Sequence, residues 1–172
     1  LCHCTPAWTM TYVLKTSLSA RAATDRNKKT DNSKVIGKLG THKTFRAIPK
    51  LESMLSFPVI SYYNNNSILI EPIIQGIIAN QGGNPDSIHN IDSIDFELSE
   101  LNLFSSNRFT GLDRVEEGSR INLGIKSNIN LNKYGNLRSI IGRSWNSLNA
   151  QGEYINGTGL DKKLSNIVGN II

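Results

Sequence analysis

The stretch that decides the fold is RINLGIKSNINLN at residues 120–132. Its apolar side chains occupy odd positions, namely Ile121, Leu123, Ile125, Ile129 and Leu131. Its polar or small residues occupy even positions, namely Asn122, Gly124, Lys126, Asn128, Asn130 and Asn132. Successive side chains of a β-strand point to opposite faces, whereas a helix would scatter both sets around its circumference. The stretch therefore predicts a strand with one apolar face and one polar face.

Other segments also predict strands, at residues 8–22, 45–59, 68–79 and 137–146, and a sixth strand is expected to begin at Leu164. Residues 8–22 alternate clearly, and residues 68–79 are apolar on both faces apart from Glu71 and Gln75. In the segment 45–59, four polar residues share one face: Arg46, Lys50, Glu52 and Ser56. Pro49 and Pro58 cannot donate a ladder hydrogen bond, so we expect a bulge or a strand end at each.

The connections between these strands alternate in length. Long segments follow the first, third and fifth strands, at Thr24–Lys43, Asn80–Gly118 and Asn149–Lys163. Short turns follow the second and fourth, at Tyr63–Asn66 and Asn132–Asn136. Outer-membrane barrels combine short periplasmic turns with longer outer loops, so this order favours such a barrel. A soluble sandwich has less reason to alternate its loop lengths so regularly.

Length and composition agree with membrane-spanning strands. The predicted strands are longer than the ~5–6 residues usual in soluble proteins. Aromatic residues lie near their ends, as in the girdles of membrane proteins: Trp8, Tyr12, Phe45, Phe57, Tyr62, Tyr63, Tyr134 and Trp145. No apolar run approaches the ~20 residues of a transmembrane helix. We therefore expect an all-β fold, an antiparallel transmembrane β-barrel segment of about six strands that forms an incomplete barrel.

Charge and metal-ligand patterns suggest neither catalysis nor cofactor binding. The net charge is +5, and basic residues cluster between Arg21 and Lys50. This cluster suits a solvated loop or a phosphate-rich partner, but no aromatic residues are interleaved with it, so we expect no nucleic-acid partner. The Cys2-His3-Cys4 run has too few ligands at too close a spacing for zinc. The acidic run Asp92, Asp95, Glu97 and Glu100 has no calcium-loop spacing. We expect no catalytic, metal or cofactor site.

From about residue 45 onward the sequence resembles the barrel region of the LptD family of LPS-assembly proteins (organic solvent tolerance proteins, OstA/Imp), particularly its alphaproteobacterial members. The motif residues are Glu71 and Pro72 in a strand, and Asn107, Arg108, Phe109, Gly111, Asp113, Arg114, Glu116, Gly118 and Arg120 in the long loop. Shorter matches occur at Gly82-Gly83-Asn84-Pro85, at residues 92–97 and at residues 157–169. The resemblance implies that residues 1–172 form part of one barrel domain, clearest over residues 45–172.

The resemblance also implies a function. Members of the family are outer-membrane translocons that insert lipopolysaccharide into the outer leaflet, and they are not enzymes. They receive lipopolysaccharide from periplasmic bridge proteins and are plugged by an LptE-like lipoprotein. We expect this chain to be an internal fragment of such a protein in the cell outer membrane. About six strands cannot close a barrel, so we expect the fragment to be inactive alone.

The long loop carries enough opposite charges to fold back over, or into, a lumen. The charged residues are Arg108, Asp113, Arg114, Glu116, Glu117 and Arg120, which can neutralise one another. Gly111 and Gly118 allow the backbone to turn. Lys126, Asn128 and Asn130 are candidates to face the lumen, because they share the polar parity of residues 120–132.

Two other functions fit the same pattern of strands. The chain could be a segment of a different outer-membrane barrel, such as a porin or a receptor. It could also be a soluble all-β module that binds carbohydrate, which would be folded and monomeric without detergent. A barrel segment should instead aggregate without lipid or detergent, because the face of Ile121, Leu123 and Ile125 would be bare.

Overall fold

A computed structural model of the chain describes residues 7–8, 11–27, 40–81, 84, 90–94, 97–147, 154 and 157–172. Within these ranges the regular secondary structure is β-strand throughout. The strands are β1 (Ala7–Trp8), β2 (Thr11–Asn27), β3 (Gly40–Ser56), β4 (Val59–Tyr63), β5 (Asn66–Ala79), β6 (Arg120–Leu131), β7 (Gly135–Asn146) and β8 (Val168–Ile171). The expected all-β fold is thus confirmed.

The strands form one antiparallel sheet in which neighbours in sequence are neighbours in space. β1 and β2 pair with β4 and β3 in one continuous register, from Ala7↔Ile60 to Asn27↔Gly40. The two short pieces are therefore continuations of the long strands beside them. β5, β6, β7 and β8 follow in order, so the sheet contains six strand paths, as expected.

The prolines have different effects on the ladder. The interruption between β3 and β4 falls at Phe57 and Pro58, opposite Glu71 and Pro72, as the flanking pairs Ser56↔Ile73 and Val59↔Ile70 show. The expected strand end at Pro58 is confirmed. The one expected at Pro49 is wrong, because β3 runs through Pro49 in register with Leu18. The ladder between β3 and β5 ends at Lys50, so Pro49 has a ladder partner on one side only.

The connections keep the expected alternation of lengths, with shifted boundaries. β2 and β3 extend into the expected loop Thr24–Lys43, and β8 begins at Val168 rather than Leu164, which forms an isolated bridge with Trp145. Asn64 and Asn65 form the tight turn between β4 and β5 with φ angles of 44° and 62°. Asparagine tolerates this left-handed conformation, which suits two-residue hairpin turns.

The sheet has two chemically different faces from β3 to β7. One face exposes large apolar side chains, among them Leu51, Ile68, Ile70, Ile74, Ile78, Ile121, Leu123, Ile125, Leu137, Ile141 and Trp145. The opposite face carries buried polar side chains at the other parity. In its described part the sheet does not close, because β2 and β8 each pair with a single neighbour. The side chains of residues 14–27, and with them most of the basic cluster, lie outside the described set.

Within the described ranges there is no helix that is long and apolar enough to span a membrane.

Candidate functional site

The polar face of the sheet is built by alternate residues of four strands. β3 contributes Arg46, Lys50 and Glu52, β5 contributes Gln75, β6 contributes Arg120 and Asn122, and β7 contributes Ser144 and Asn146. All of these side chains are buried. A polar group removed from water destabilises a fold unless it finds a hydrogen-bond partner. Something must therefore cover this face and supply partners.

The described part of the long loop between β5 and β6, residues 80–119, is the cover. Basic side chains of the sheet donate hydrogen bonds to its backbone carbonyls. Arg46 binds the carbonyls of Leu112 and Asp113, Lys50 binds that of Ser106, and Arg120 binds those of Ser105 and Ser106. Each of these carbonyls therefore exchanges water for a charged donor. A hydrogen bond from a charged donor is stronger than one from a neutral group.

Neutral side chains continue the contact as a chain of hydrogen bonds across the sheet. The Gln75 amide donates to Glu52 Oε1 at 2.8 Å, and the Asn122 amide donates to Gln75 Oε1 at 2.7 Å. Ser144 Oγ then donates to Asn122 Oδ1 at 2.6 Å. This series joins β3, β5, β6 and β7 through side chains alone. Such fully bonded polar chains favour one arrangement of a core, because each alternative leaves a group unpaired.

Arg108 connects the loop to this series of hydrogen bonds. Its Nη2 atom donates to Asn122 Oδ1 at 2.7 Å, to Ser144 Oγ at 3.0 Å and to the Leu103 carbonyl at 3.2 Å. The guanidinium therefore bonds to two strands of the sheet and to its own loop. Its side chain has 0 % exposure, so it needs a counter-charge nearby.

Glu116 supplies that counter-charge to two arginines at once. Its carboxylate lies 3.4 Å from Arg108 Nη1 and 2.9 Å from Arg120 Nη2, and all three side chains are 0–2 % exposed. Burial lowers the pKa of the Arg108 guanidinium below its ordinary value, and Glu116 opposes this shift whereas Arg120 adds to it. The ion triad, Arg108–Glu116–Arg120, thus clamps the loop to the start of β6.

The loop holds its own shape through carboxylates and amides that bind backbone N–H groups. Asp92 accepts from the N–H groups of Leu112 and Asp113, and Asp113 accepts from those of Ile91 and Asp92. Gly111 has a φ of 68°, and a Cβ there would lie 2.5 Å from Asp92. This reciprocal bonding therefore requires glycine at position 111.

A second loop closes over the first through a small apolar core. Leu98, Leu103 and Phe109 pack with Tyr154 and Leu160 from the segment between β7 and β8. The rings of Phe109 and Tyr154 stack with centroids 5.3 Å apart. Apart from this core, a smaller apolar cluster joins Ile48 and Ala79 to Val115. The two long connections form one unit on the polar face.

Two glycines let this unit approach the sheet closely. Gly124 and Gly142 are direct partners across β6 and β7, and both lie on the polar face. A Cβ at Gly124 would lie 2.8 Å from Phe104, and one at Gly142 would lie 2.5 Å from Leu103. The pair therefore forms a notch that holds Leu103 and Phe104. The sequence offers a signal for this notch, since a small residue at a polar-face position leaves space above the strand.

The opposite end of the same face, near the tight turns, is open. A cavity of about 450 Å³ lies there. Its lining includes Glu71, Glu100, Lys126, Asn128 and Arg138. Glu71 and Lys126 are direct partners across β5 and β6, and the Lys126 ammonium lies 5.9 Å from the centre of the Phe104 ring. The loop reaches this end only at its edge, through Glu100 and Phe104, and leaves space that could hold a polar or anionic group.

The family-motif residues have distinct placements. Arg108, Glu116 and Arg120 form the ion triad, Phe109 lies in the apolar core, and Gly111 and Asp113 lie at the reciprocal bonding with Asp92. The Asn107 side chain accepts a hydrogen bond from the Glu116 N–H, and the Arg114 N–H donates to the Ser93 hydroxyl. Gly118 has a φ of 74° just before β6. Glu71 lines the cavity, whereas Pro72 is exposed on the apolar face.

Of the residues expected to face the lumen, Lys126 and Asn128 line the cavity and Asn130 is exposed near the turn. All three lie on the polar face, the face that the loop covers at the other end of the strands. Sequence reasoning placed Arg46, Lys50, Gln75 and Ser144 on strands but did not make them candidate site residues. Of the acidic run, Asp92 binds the loop backbone and Asp95 lies outside the described residues, as do Cys2 and Cys4. In the described part of the chain, no three His, Cys, Asp or Glu side chains cluster as metal ligands would.

These features define a class of protein: an antiparallel sheet with an exposed apolar face and a polar face that its own long loops fill. The statistical description of the LptD family, LPS transport system D, matches residues 6–171. The chain therefore belongs to the LptD family, as the motif residues led us to expect. Membership implies a part in lipopolysaccharide transport and assembly at the outer membrane of Gram-negative bacteria. No curated protein matches the chain.

Proposed function

We propose that this chain is a stretch of the wall of an outer-membrane lipopolysaccharide translocon, with its polar face toward the lumen and its apolar face toward lipid. The observation that carries the proposal is the opposition of the two faces in β5, β6 and β7. Ile74, Leu123 and Ile141 are 47 %, 46 % and 54 % exposed on one face, whereas Gln75, Asn122 and Ser144 are fully buried on the other. A soluble sheet buries its apolar face, whereas a membrane barrel turns it to lipid.

The same proposal orients the molecule. The short turns at Asn64–Asn65 and residues 132–134 would lie at the periplasmic side, and the long connections at the outer side. The loop of residues 80–119 then fills the outer half of the lumen, and the cavity at Lys126 and Asn128 opens toward the periplasm. Lipopolysaccharide, the periplasmic bridge proteins and an LptE-like plug are the partners that this orientation suits. The role is transport rather than catalysis.

We further propose that the chain acts as a segment of a longer barrel of the alphaproteobacterial type. β2 and β8 each have one neighbour in the described sheet, and hydrocarbon leaves no partner for unpaired backbone groups. Further strands must therefore pair with these edges before the wall can transport anything. Coding sequence on either side of this chain should supply them, and flanks without barrel strands would contradict this part of the proposal.

Site-specific photo-crosslinking in the native outer membrane tests the function. A photoreactive residue at Asn128 should capture lipopolysaccharide, and the capture should cease when its synthesis is blocked. The same residue at Leu123, on the opposite face of the same strand, should capture membrane lipid under both conditions. Lipid capture at Leu123 without lipopolysaccharide at Asn128 would favour a porin or receptor. If Leu123 captures no lipid, the membrane wall itself is wrong.

A further inference from the structure

The apolar face carries a groove at the end of the sheet where the long connections begin. It has a volume of about 520 Å³. Gly76, Ile121 and Trp145 lie in one row across β5, β6 and β7, since Gly76 pairs with Ile121 and Ile121 with Trp145. Gly76 has no side chain, and a Cβ built there would touch nothing within 4 Å. The groove is therefore a gap between the exposed apolar side chains of neighbouring strands.

Lys163 stands over one end of this groove. Its ammonium lies 5.5 Å from the centre of the Trp145 ring. The backbone of Lys163 is held in place, because its carbonyl accepts from the Asn146 N–H at 2.8 Å and the next residue, Leu164, bridges to Trp145. The cation is thus positioned by the fold rather than by a flexible tail.

The groove combines an apolar floor with positive charge at its rim. Ile78, Ile121 and Trp145 are 61 %, 42 % and 49 % exposed there. Lys163 supplies this charge, because the Arg120 side chain turns to the polar face and pairs with Glu116 there, and the described residues that line the groove include no carboxylate. An apolar slot of this kind fits an acyl chain, and a lysine beside an exposed tryptophan fits the headgroup zone of a membrane.

We infer that this groove is a binding site for an anionic, phosphate-bearing lipid of the outer leaflet. The acyl chain lies along Gly76 and Ile121, and the headgroup phosphate pairs with Lys163. The inference rests on the proposed function, because it needs the apolar face to meet lipid and the long connections to lie on the outer side. It adds to that function a defined lipid position on the outside of the wall, away from the polar face.

Quenching of Trp145 fluorescence by brominated lipids tests the site. The full chain carries Trp8→Phe, so that Trp145 is its single tryptophan. It is reconstituted in phosphatidylcholine vesicles that contain a small fraction of either brominated phosphatidylglycerol or brominated phosphatidylcholine. A basic residue near the membrane surface attracts an anionic headgroup by about 1 kcal/mol, so we expect about fivefold preference for the phosphatidylglycerol probe.

Three variants assign that preference to the groove. Lys163→Gln should abolish it, whereas Lys162→Gln, which changes the exposed neighbouring lysine, should keep it. Gly76→Leu should fill the groove and reduce quenching by the phosphatidylglycerol probe to that of the phosphatidylcholine probe. Equal quenching of the parent by both probes would overturn the lipid site but leave the membrane wall intact. If the chain is shown to have entered the vesicles, by protection of its strands from added protease, no quenching by either probe would overturn the proposed function as well.

Discussion

Two halves of one sheet face differ in how they are filled, although the same strands build both. Asn122 and Asn130 belong to β6, have the same parity and are the same residue type. Asn122 is fully buried at the centre of the hydrogen-bond chain, whereas Asn130 is exposed beside a tight turn. The difference lies in what covers them, since the loop of residues 80–119 reaches only the first. Strand periodicity sets the face of a residue, and the connections set its burial.

The largest expected effect follows from removing the shared counter-charge of the filled half. Glu116→Gln leaves Arg108 and Arg120 buried without a carboxylate. Breaking a buried ion pair by removing one partner destabilises a fold by about 3–5 kcal/mol. Urea denaturation of the chain in detergent micelles should show this loss, and proteases should cut the loop of residues 80–119 faster.

Glu97→Gln is the matched control, because Glu97 is an exposed carboxylate of the same loop. It should leave both the denaturation midpoint and the rate of loop cleavage unchanged. If Glu116→Gln behaves as Glu97→Gln does, the ion triad does not hold the loop to the sheet.

A smaller effect separates the two asparagines directly. Asn122→Ala removes an acceptor from Arg108 and Ser144 and a donor to Gln75, so buried polar groups lose their partners. We expect a loss of about 1–3 kcal/mol in the free energy of unfolding. Asn130→Ala should change it by less than about 0.5 kcal/mol, as is usual for an exposed position. Equal losses in the two variants would mean that burial by the loop is not what distinguishes the halves.

The glycine notch gives a third contrast, this time between the two faces. Gly142→Ala would push a Cβ against Leu103 of the loop and against the Leu123 carbonyl of the neighbouring strand, and overpacking of this kind destabilises a fold by about 1–3 kcal/mol. Gly76→Ala places the same methyl group on the apolar face, where it touches nothing within 4 Å. Thermal unfolding in micelles should therefore distinguish the two variants, and a Gly142→Ala midpoint equal to that of Gly76→Ala would argue against close packing of the loop.

The smallest effect belongs to the open half. Lys126→Gln removes a charge that lies opposite Glu71 and near the Phe104 ring. Exposed ion pairs and cation–π contacts contribute about 0–1 kcal/mol, so the unfolding free energy should hardly change. Cross-linking of lipopolysaccharide from Asn128 should nevertheless decrease in the variant if the cavity receives an anionic ligand. A large loss of stability would show that this half is structural too.

Much of the fold followed from local pattern. The period-two alternation at residues 120–132 predicted β6 to within one residue. The short turn predicted at Tyr63–Asn66 is present, and its two central asparagines adopt positive φ. Pro58 marked an interruption because proline cannot donate. The same rule wrongly predicted a strand end at Pro49. A missing N–H interrupts a strand only where a neighbouring strand needs that hydrogen bond, so its effect depends on how many neighbours the strand has at that point. That number is a property of the sheet.

The sequence by itself determined which residues share a face and which connections are long, because both are properties of neighbouring positions along the chain. The sequence also contains the charged loop residues by which the family is recognised. Tertiary structure alone decided that Glu116 serves Arg108 and Arg120 together, that Asn122 joins Gln75 to Ser144, and that Gly124 and Gly142 form one notch. These contacts join residues far apart in sequence, so they exist only once strand register brings them together.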